Sequence, residues 1–241
     1  MNLNMPGPFT TVLGSRTVIA PGIVDLVFAM VKPSRLEFQA GQFASLGVGR
    51  DADGAVVRRS YSIASPSRQG QSLRFIVRIV EGGTASAYLM GLPVGAEIEM
   101  TGPHGFFVLD REHPGDIVFC ATGTGIAPVL PMLDELSERP ETGRRFVYWG
   151  LRHAADVFAR DDVEAACARA QAALHLFLSR PPDSWSGPRG RITGAVLEAL
   201  PSLRAPTFYL VGNGAMIEDL KRQLVARGVD RKRQIRTEVF F

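Results

Sequence analysis

Near Pro114-Gly115 the apolar residues of this chain change their period, and the change sets two separate folding problems. Before it, residues 10–19, 23–31, 42–48, 56–64, 73–80 and 97–101 form short runs rich in β-branched and aromatic side chains. Turn pairs such as Pro21-Gly22, Asp53-Gly54 and Gln69-Gly70 punctuate them. Six strands at this spacing predict a small antiparallel barrel, interrupted by one short helix at residues 84–91. Beyond the change, expected strands at 116–121, 145–150, 174–179 and 208–211 each precede an amphipathic segment, at 126–139, 161–172, 193–199 and 215–227. That alternation predicts a parallel sheet with helices on both faces and ligands at the carboxyl ends of its strands. A length of 241 residues suffices for two ordinary domains. The expectation is a β-barrel over residues 1–111 and a doubly wound α/β domain over 112–241.

Several function classes are disfavoured at once. A net charge of +3 gives no general argument for nucleic acid, although Arg231 to Arg233 and similar clusters could steer an acidic partner. No apolar run reaches the roughly 18 residues of a membrane span, and Met1 to Thr10 lacks the features of a secretory signal. A cytoplasmic monomer is therefore expected. Cys120 and Cys167 both fall in segments that read as interior, which argues against a disulfide framework. Two cysteines also cannot supply the four thiolates of an ordinary iron–sulfur cluster, and no metal site is expected. Electrons leaving such a chain singly must pass to another molecule.

Arg59, Ser60, Tyr61 and Ser62 close the fourth expected strand. On a strand, residues 59 and 61 share one face, and 60 and 62 the other. A guanidinium fork suits a phosphate, and a phenol ring suits a ribose or an isoalloxazine edge. A nearby hydroxyl can reach a flavin N5. A packed tyrosine beside a snorkelling arginine is the plain alternative. Downstream, Glu81-Gly82-Gly83-Thr84-Ala85-Ser86 leads glycines into a helix start whose free amides also suit a phosphate, or simply form a capped helix after a turn.

Gly123-Thr124-Gly125-Ile126-Ala127-Pro128 opens the first strand-to-helix turn of the second half. With Pro at 128 it is not Gly-x-Gly-x-x-Gly, yet its place at the first such turn favours a nucleotide diphosphate over a mere tight turn. Arg152, then Ser179-Arg180, then Arg189 and Arg191 follow later strands, where an adenosine phosphate would be held if they are not simply surface charges. Val211-Gly212-Asn213-Gly214-Ala215-Met216 ends another strand with glycines that leave the backbone open to a planar ligand. Glu238-Val239-Phe240-Phe241 closes the chain with an acid and two aromatics, a pattern that also fits a last strand completing the sheet.

Taken in order, these segments resemble the ferredoxin-NADP⁺ reductase superfamily of flavin-dependent electron transferases over nearly the whole chain, as a stand-alone module without an iron–sulfur domain. Gly41-Gln42-Phe43 and Pro103-His104-Gly105-Phe106 match that family's turns as well. The resemblance implies that the Arg59-Ser60-Tyr61-Ser62 strand binds the flavin, with Arg59 on its phosphate and Tyr61 and Ser62 at ribose and ring. It places Gly83, Thr84, Ala85 and Ser86 at the flavin diphosphate, which favours FAD over FMN. Thr124 and Gly125 would hold the nicotinamide nucleotide, with Gly212, Asn213 and Met216 at its other end.

Ser62, Glu238 and Phe240 become the catalytic candidates: a hydrogen bond to N5, help with proton balance, and a ring over the flavin that nicotinamide displaces. Phe241 extends one residue beyond the family's usual ending, so either phenylalanine can be the stacking ring. Val211 stands where the family often has cysteine, which implies an altered hydride geometry or rate. Ser179, Arg180 and Arg191 resemble the 2′-phosphate clamp of NADPH-preferring members, and Arg152 joins the nucleotide set. Arg180-Pro181-Pro182-Asp183-x-Trp185 is also similar to NADH-using oxygenase reductases; charge complementarity favours NADPH. The implied activity is hydride transfer between NAD(P)H and bound FAD, with single electrons exchanged with a separate ferredoxin, flavodoxin or oxygenase component. A free-flavin reductase and an electron-transfer subunit of a larger complex are the alternatives.

Overall fold

The computed structural model describes residues 8–110, 115–140 and 142–240. The chain forms two compact units that divide between Val108 and Leu109.

The first unit contains β1 (Phe9–Ala20), β2 (Ile23–Lys32), β3 (Phe43–Arg50), β4 (Val56–Ser62), β5 (Ser72–Arg78), the helix α1 (Thr84–Gly91) and β6 (Glu97–His104). The strands make one sheet in the order β4-β3-β6-β1-β2-β5, with every pair antiparallel. Period-two alternation fills its interior: Val24, Leu26 and Phe28 of β2 meet Leu73, Phe75 and Val77 of β5, while Ala44, Leu46 and Val48 of β3 meet Ile98 and Met100 of β6. Each of these side chains larger than alanine, once fully buried, contributes roughly 1.5–3 kcal/mol. Thr11 also points inward, and its hydroxyl donates to the Ile98 carbonyl at 3.2 Å. The free edges come together just past β4, where Ala64 N–H donates to Arg74 O at 2.8 Å. Ser65 adds a second tie, its Oγ accepting from Arg74 N and donating to Ser72 O, each at 3.2 Å. The sheet is thereby rolled into a barrel.

The second unit runs β7 (Ile117–Thr122), α2 (Val129–Ser137), β8 (Arg145–Leu151), α3 (Arg160–Arg169), β9 (Ala172–Leu178), α4 (Ile192–Ala199), β10 (Thr207–Asn213), α5 (Gly214–Val225), α6 (Arg231–Gln234) and β11 (Ile235–Phe240). All five strands are parallel, in the order β11-β10-β7-β8-β9. The chain winds outward from β7 through β8 to β9, then returns to the other side of β7 as β10. The strand order therefore reverses between β7 and β10, and the carboxyl ends of those two strands frame the crevice where such sheets bind ligands. Burial on both faces explains why β10 is apolar without alternation, being buried from Thr207 through Gly212.

The helix expected from residue 126 begins later. A 3₁₀ turn occupies Gly123–Ile126 and α2 starts at Val129, because Pro128 takes the helix-entry position and glycines hold the turn before it. The helix expected over 161–172 is likewise displaced, spanning Arg160–Arg169, since the chain turns at Gln171 with a positive φ of 51° to enter β9. Asp116 fastens the amino edge of this sheet. Its buried carboxylate accepts from Arg144 N at 2.9 Å, Arg144 Nη2 at 2.7 Å and Arg204 N at 2.9 Å.

Candidate functional site

In the barrel, cross-strand register fixes the faces of β4. Tyr61 lies opposite Ala44 and Arg59 opposite Leu46, so both belong to the interior face. Arg59 is nevertheless exposed, and Tyr61 is half-buried against the core cluster. Burial pushes the Tyr61 phenol above its ordinary pKa and Arg59 pulls it back. Ser60 faces outward with its Oγ 2.9 Å from Ser45 Oγ. Ser62 shares that outward face and is buried, opposite Phe43.

Gln42 fixes the chain around Ser62. Its carbonyl accepts from Ile63 N at 3.0 Å, its Oε1 accepts from Gln39 N at 2.8 Å, and its Nε2 donates to Gly105 O at 3.2 Å. The two family-like turns, Gly41-Gln42-Phe43 and Pro103-His104-Gly105-Phe106, thus join beside the end of β4. Sequence reasoning found both turns but not the side chain that links them.

The second phosphate-friendly segment begins α1. Gly82 takes a positive φ of 70° and Gly83 stands at the N-cap position without any side-chain cap, which leaves the first-turn amides of Thr84, Ala85 and Ser86 without a capping partner. Ala85 and Tyr88 of this helix pack on the same barrel cluster as Tyr61. Ser86 has a structural task as well: its buried Oγ accepts from Val80 N at 2.9 Å and so folds the glycine turn. A helix start with open amides and an exposed guanidinium on the barrel rim fits a diphosphate.

In the second unit the glycine turns after β7 and β10 interlock. Gly123 has a positive φ of 56° and open space where a Cβ would stand, so the backbone is accessible there. Gly125 is the opposite case: a Cβ would lie 2.8 Å from Val211 O. At Gly212, with φ of 113°, a Cβ would lie 2.5 Å from both Thr122 O and Thr122 Oγ1. Thr122 Oγ1 accepts from Asn213 N at 2.9 Å, and the indole of buried Trp149 donates to Gly123 O at 3.0 Å. No residue type in the sequence marked Thr122 or Trp149 for these tasks; both are distant contacts.

Parallel register aligns Glu238 of β11, Val211 of β10, Ala121 of β7 and Trp149 of β8 in one row across the sheet. Glu238 and Phe240 therefore belong to a last strand at its carboxyl edge, Phe240 level with Asn213. Phe241 lies outside the described residues. Asn213 is exposed and caps α5, its Oδ1 accepting from Met216 N at 3.1 Å, while Met216 packs on the sheet core. Thr124 is half-buried in the turn itself.

The arginines divide into two kinds. Arg189 is spent on its own loop, donating to the carbonyls of Pro182, Asp183 and Trp185 at 2.9–3.1 Å. Arg152, Arg180 and Arg191 are exposed, with no side-chain hydrogen bond or ion pair among the described residues. Backbone bonds from Ser179 N to Leu151 O (3.0 Å) and Arg180 N to Arg152 O (2.8 Å) hold the first two beside each other at the ends of β8 and β9. Arg191 stands at the start of α4, which has no side-chain cap.

Neither cysteine suits chemistry: burial drives the Cys120 thiol far up and lifts Cys167 to about 12. The described residues include no cluster of metal-binding side chains, and no helix long and apolar enough to cross a membrane.

Comparison with known proteins places the same division on the chain. A family described as an oxidoreductase FAD-binding domain matches residues 10–109, and one described as an oxidoreductase NAD-binding domain matches residues 119–222. Ferredoxin--NADP reductase B of Sorangium cellulosum is 33% identical over 228 residues, 92% of each chain. The reductase component of propane 2-monooxygenase from Gordonia sp. is 34% identical over 155 residues, 64% of this chain and 44% of that longer one. Among solved structures, the Amycolatopsis cytochrome P450 reductase GcoB superposes with a TM-score of 0.84 at 29% identity, covering 97% of this chain and 69% of its own.

Proposed function

The chain belongs to the ferredoxin-NADP⁺ reductase superfamily of FAD- and NAD(P)-binding oxidoreductases, and on that premise we propose that it passes electrons from NADPH to a separate one-electron carrier. The observation that carries the reading is the pair of phosphate cradles, one in each unit: the start of α1, which has no side-chain cap, and the Gly123 turn at the switch point. Bound FAD would supply the redox chemistry, linking two-electron hydride transfer to one-electron transfer.

The residues of the chain bind and orient. Arg59 and the amides of Thr84, Ala85 and Ser86 hold the FAD diphosphate, while Tyr61 packs against its ribose or ring. Gln42, through Ile63, keeps Ser62 where its hydroxyl or amide meets N5. Thr124 and Gly125 take the nucleotide diphosphate. Arg152, Ser179, Arg180 and Arg191 surround the adenosine end, and three uncommitted guanidinium groups favour a dianionic 2′-phosphate, hence NADPH over NADH. The Gly212 turn would receive the nicotinamide, Phe240 would be the aromatic that the nicotinamide displaces, and Glu238 would exchange the proton. Names such as ferredoxin--NADP reductase and monooxygenase reductase component support a carrier of the ferredoxin or oxygenase-component class.

The test is desalting followed by a coupled assay. The purified protein should keep its flavin absorbance, and NADPH-dependent cytochrome c reduction should rise on adding a ferredoxin or flavodoxin. Loss of flavin on desalting, with release of reduced free flavin in the assay, would instead identify a free-flavin reductase.

A further inference from the structure

We propose that Thr122 is a positioning residue that clasps the two ligand turns of the second unit at one fixed spacing. The inference rests on the reading above in one respect, that the β7 turn holds the nucleotide phosphates and the β10 turn its nicotinamide. The clasp itself is geometric. Thr122 is the last residue of β7, so its backbone leads directly into Gly123. Its hydroxyl reaches sideways to the neighbouring strand and accepts the Asn213 amide at 2.9 Å, one residue past Gly212. At Gly212 the absence of a side chain lets β10 lie against Thr122, since any Cβ there would meet the Thr122 carbonyl and hydroxyl oxygens at 2.5 Å. Gly125 makes the reciprocal approach to Val211 O. Two glycines thus bring the turns into contact, and one hydroxyl fixes their register.

Asn213 heads α5, so its amide lies at a helix start where intrahelical acceptors are missing. Thr122 Oγ1 accepts from that amide across the two strands. Removing that acceptor frees the β10 turn to shift relative to the β7 turn without removing any group from the phosphate cradle. A hydride donor and acceptor must be held about 3–3.5 Å apart and aligned, so the chemical step should suffer more than binding. Displacement on the order of 1 Å costs about 100-fold in favourable cases, and a partial loosening should cost roughly 10-fold.

The experiment compares Thr122→Val, which keeps the shape and loses the acceptor, with Thr122→Ser, which keeps the acceptor. In anaerobic rapid mixing of the flavin-loaded protein with NADPH, Thr122→Val should lower the limiting rate of flavin reduction about 10-fold while changing the nucleotide Kd less than about 3-fold, and Thr122→Ser should stay near wild type. Amide hydrogen exchange at Asn213 should accelerate in Thr122→Val alone. A Thr122→Val protein with the wild-type limiting rate, or a Thr122→Ser protein equally impaired, would overturn the proposal. Should wild-type flavin fail to react with NADPH and NADH alike, the functional reading falls, and exchange at Asn213 still decides the clasp: unchanged protection in Thr122→Val rejects it.

Discussion

At the scale of single residues, the arginines of the second unit differ in what their guanidinium groups already hold. Arg189 is bound to three carbonyls of its own loop, and Arg144 is committed to Asp116. Arg180 projects into solvent beside Arg152. Arg180→Ala should therefore reduce kcat/KM for NADPH by about 10- to 100-fold, the equivalent of a charged hydrogen-bonded contact worth roughly 1.5–3 kcal/mol, and leave NADH use within about 2-fold. Equal losses with both nucleotides would assign Arg180 to a part they share. Placement was readable in the sequence where a local period decides it, as with Arg59 and Tyr61, which share one face of β4 as strand alternation predicts. It was not readable where a hydroxyl serves a distant backbone. Nothing in the sequence shows that the Ser86 hydroxyl also ties its own glycine turn, and Thr122, with no mark in the sequence, acts on a residue 91 positions away.

Between residues and the whole lie the strand ends, and the parallel sheet has a working edge and a fastening edge. Asp116 serves the fastening edge, joining the amino ends of β7, β8 and the approach to β10 through Arg144 and Arg204. Burial alone would raise its pKa, but hydrogen bonds from the Arg144 side chain and from the Arg204 and Arg144 amides outweigh that and hold it below the ordinary carboxylate value. A lowered folded pKa gives stability that is complete above the unfolded value near ~3.9 and is lost as pH falls through the folded one. Asp116→Asn should thus unfold about 1–3 kcal/mol more easily at neutral pH, with the gap to wild type closing as the pH drops below about 4. A gap that stays constant down to strong acid would deny the carboxylate this role. Element types were legible because barrel strands alternate and buried parallel strands do not. Boundaries were less so: α2 begins after a 3₁₀ turn in which Gly125 is pressed against Val211 of β10, a tertiary demand that local pattern does not carry.

On the scale of the molecule, two periods in one chain yield two units with different ligand strategies. On the proposed function, the barrel offers its rim and the start of one helix, while the α/β unit offers the switch point of its sheet. Both strategies place backbone amides, and glycine turns announce them in a sequence. The identity of the carrier is another matter, since it depends on exposed side chains that no internal contact constrains. The central claim is that a flavin held by the first unit takes hydride from a nucleotide held by the second. Anaerobic rapid mixing of the purified flavoprotein with NADPH, monitored by flavin absorbance, tests it most directly. The account predicts bleaching at a rate that saturates with NADPH and slows when the nicotinamide carries deuterium at C4. A protein that binds no FAD, or whose flavin stays oxidised with both NADPH and NADH, would contradict it.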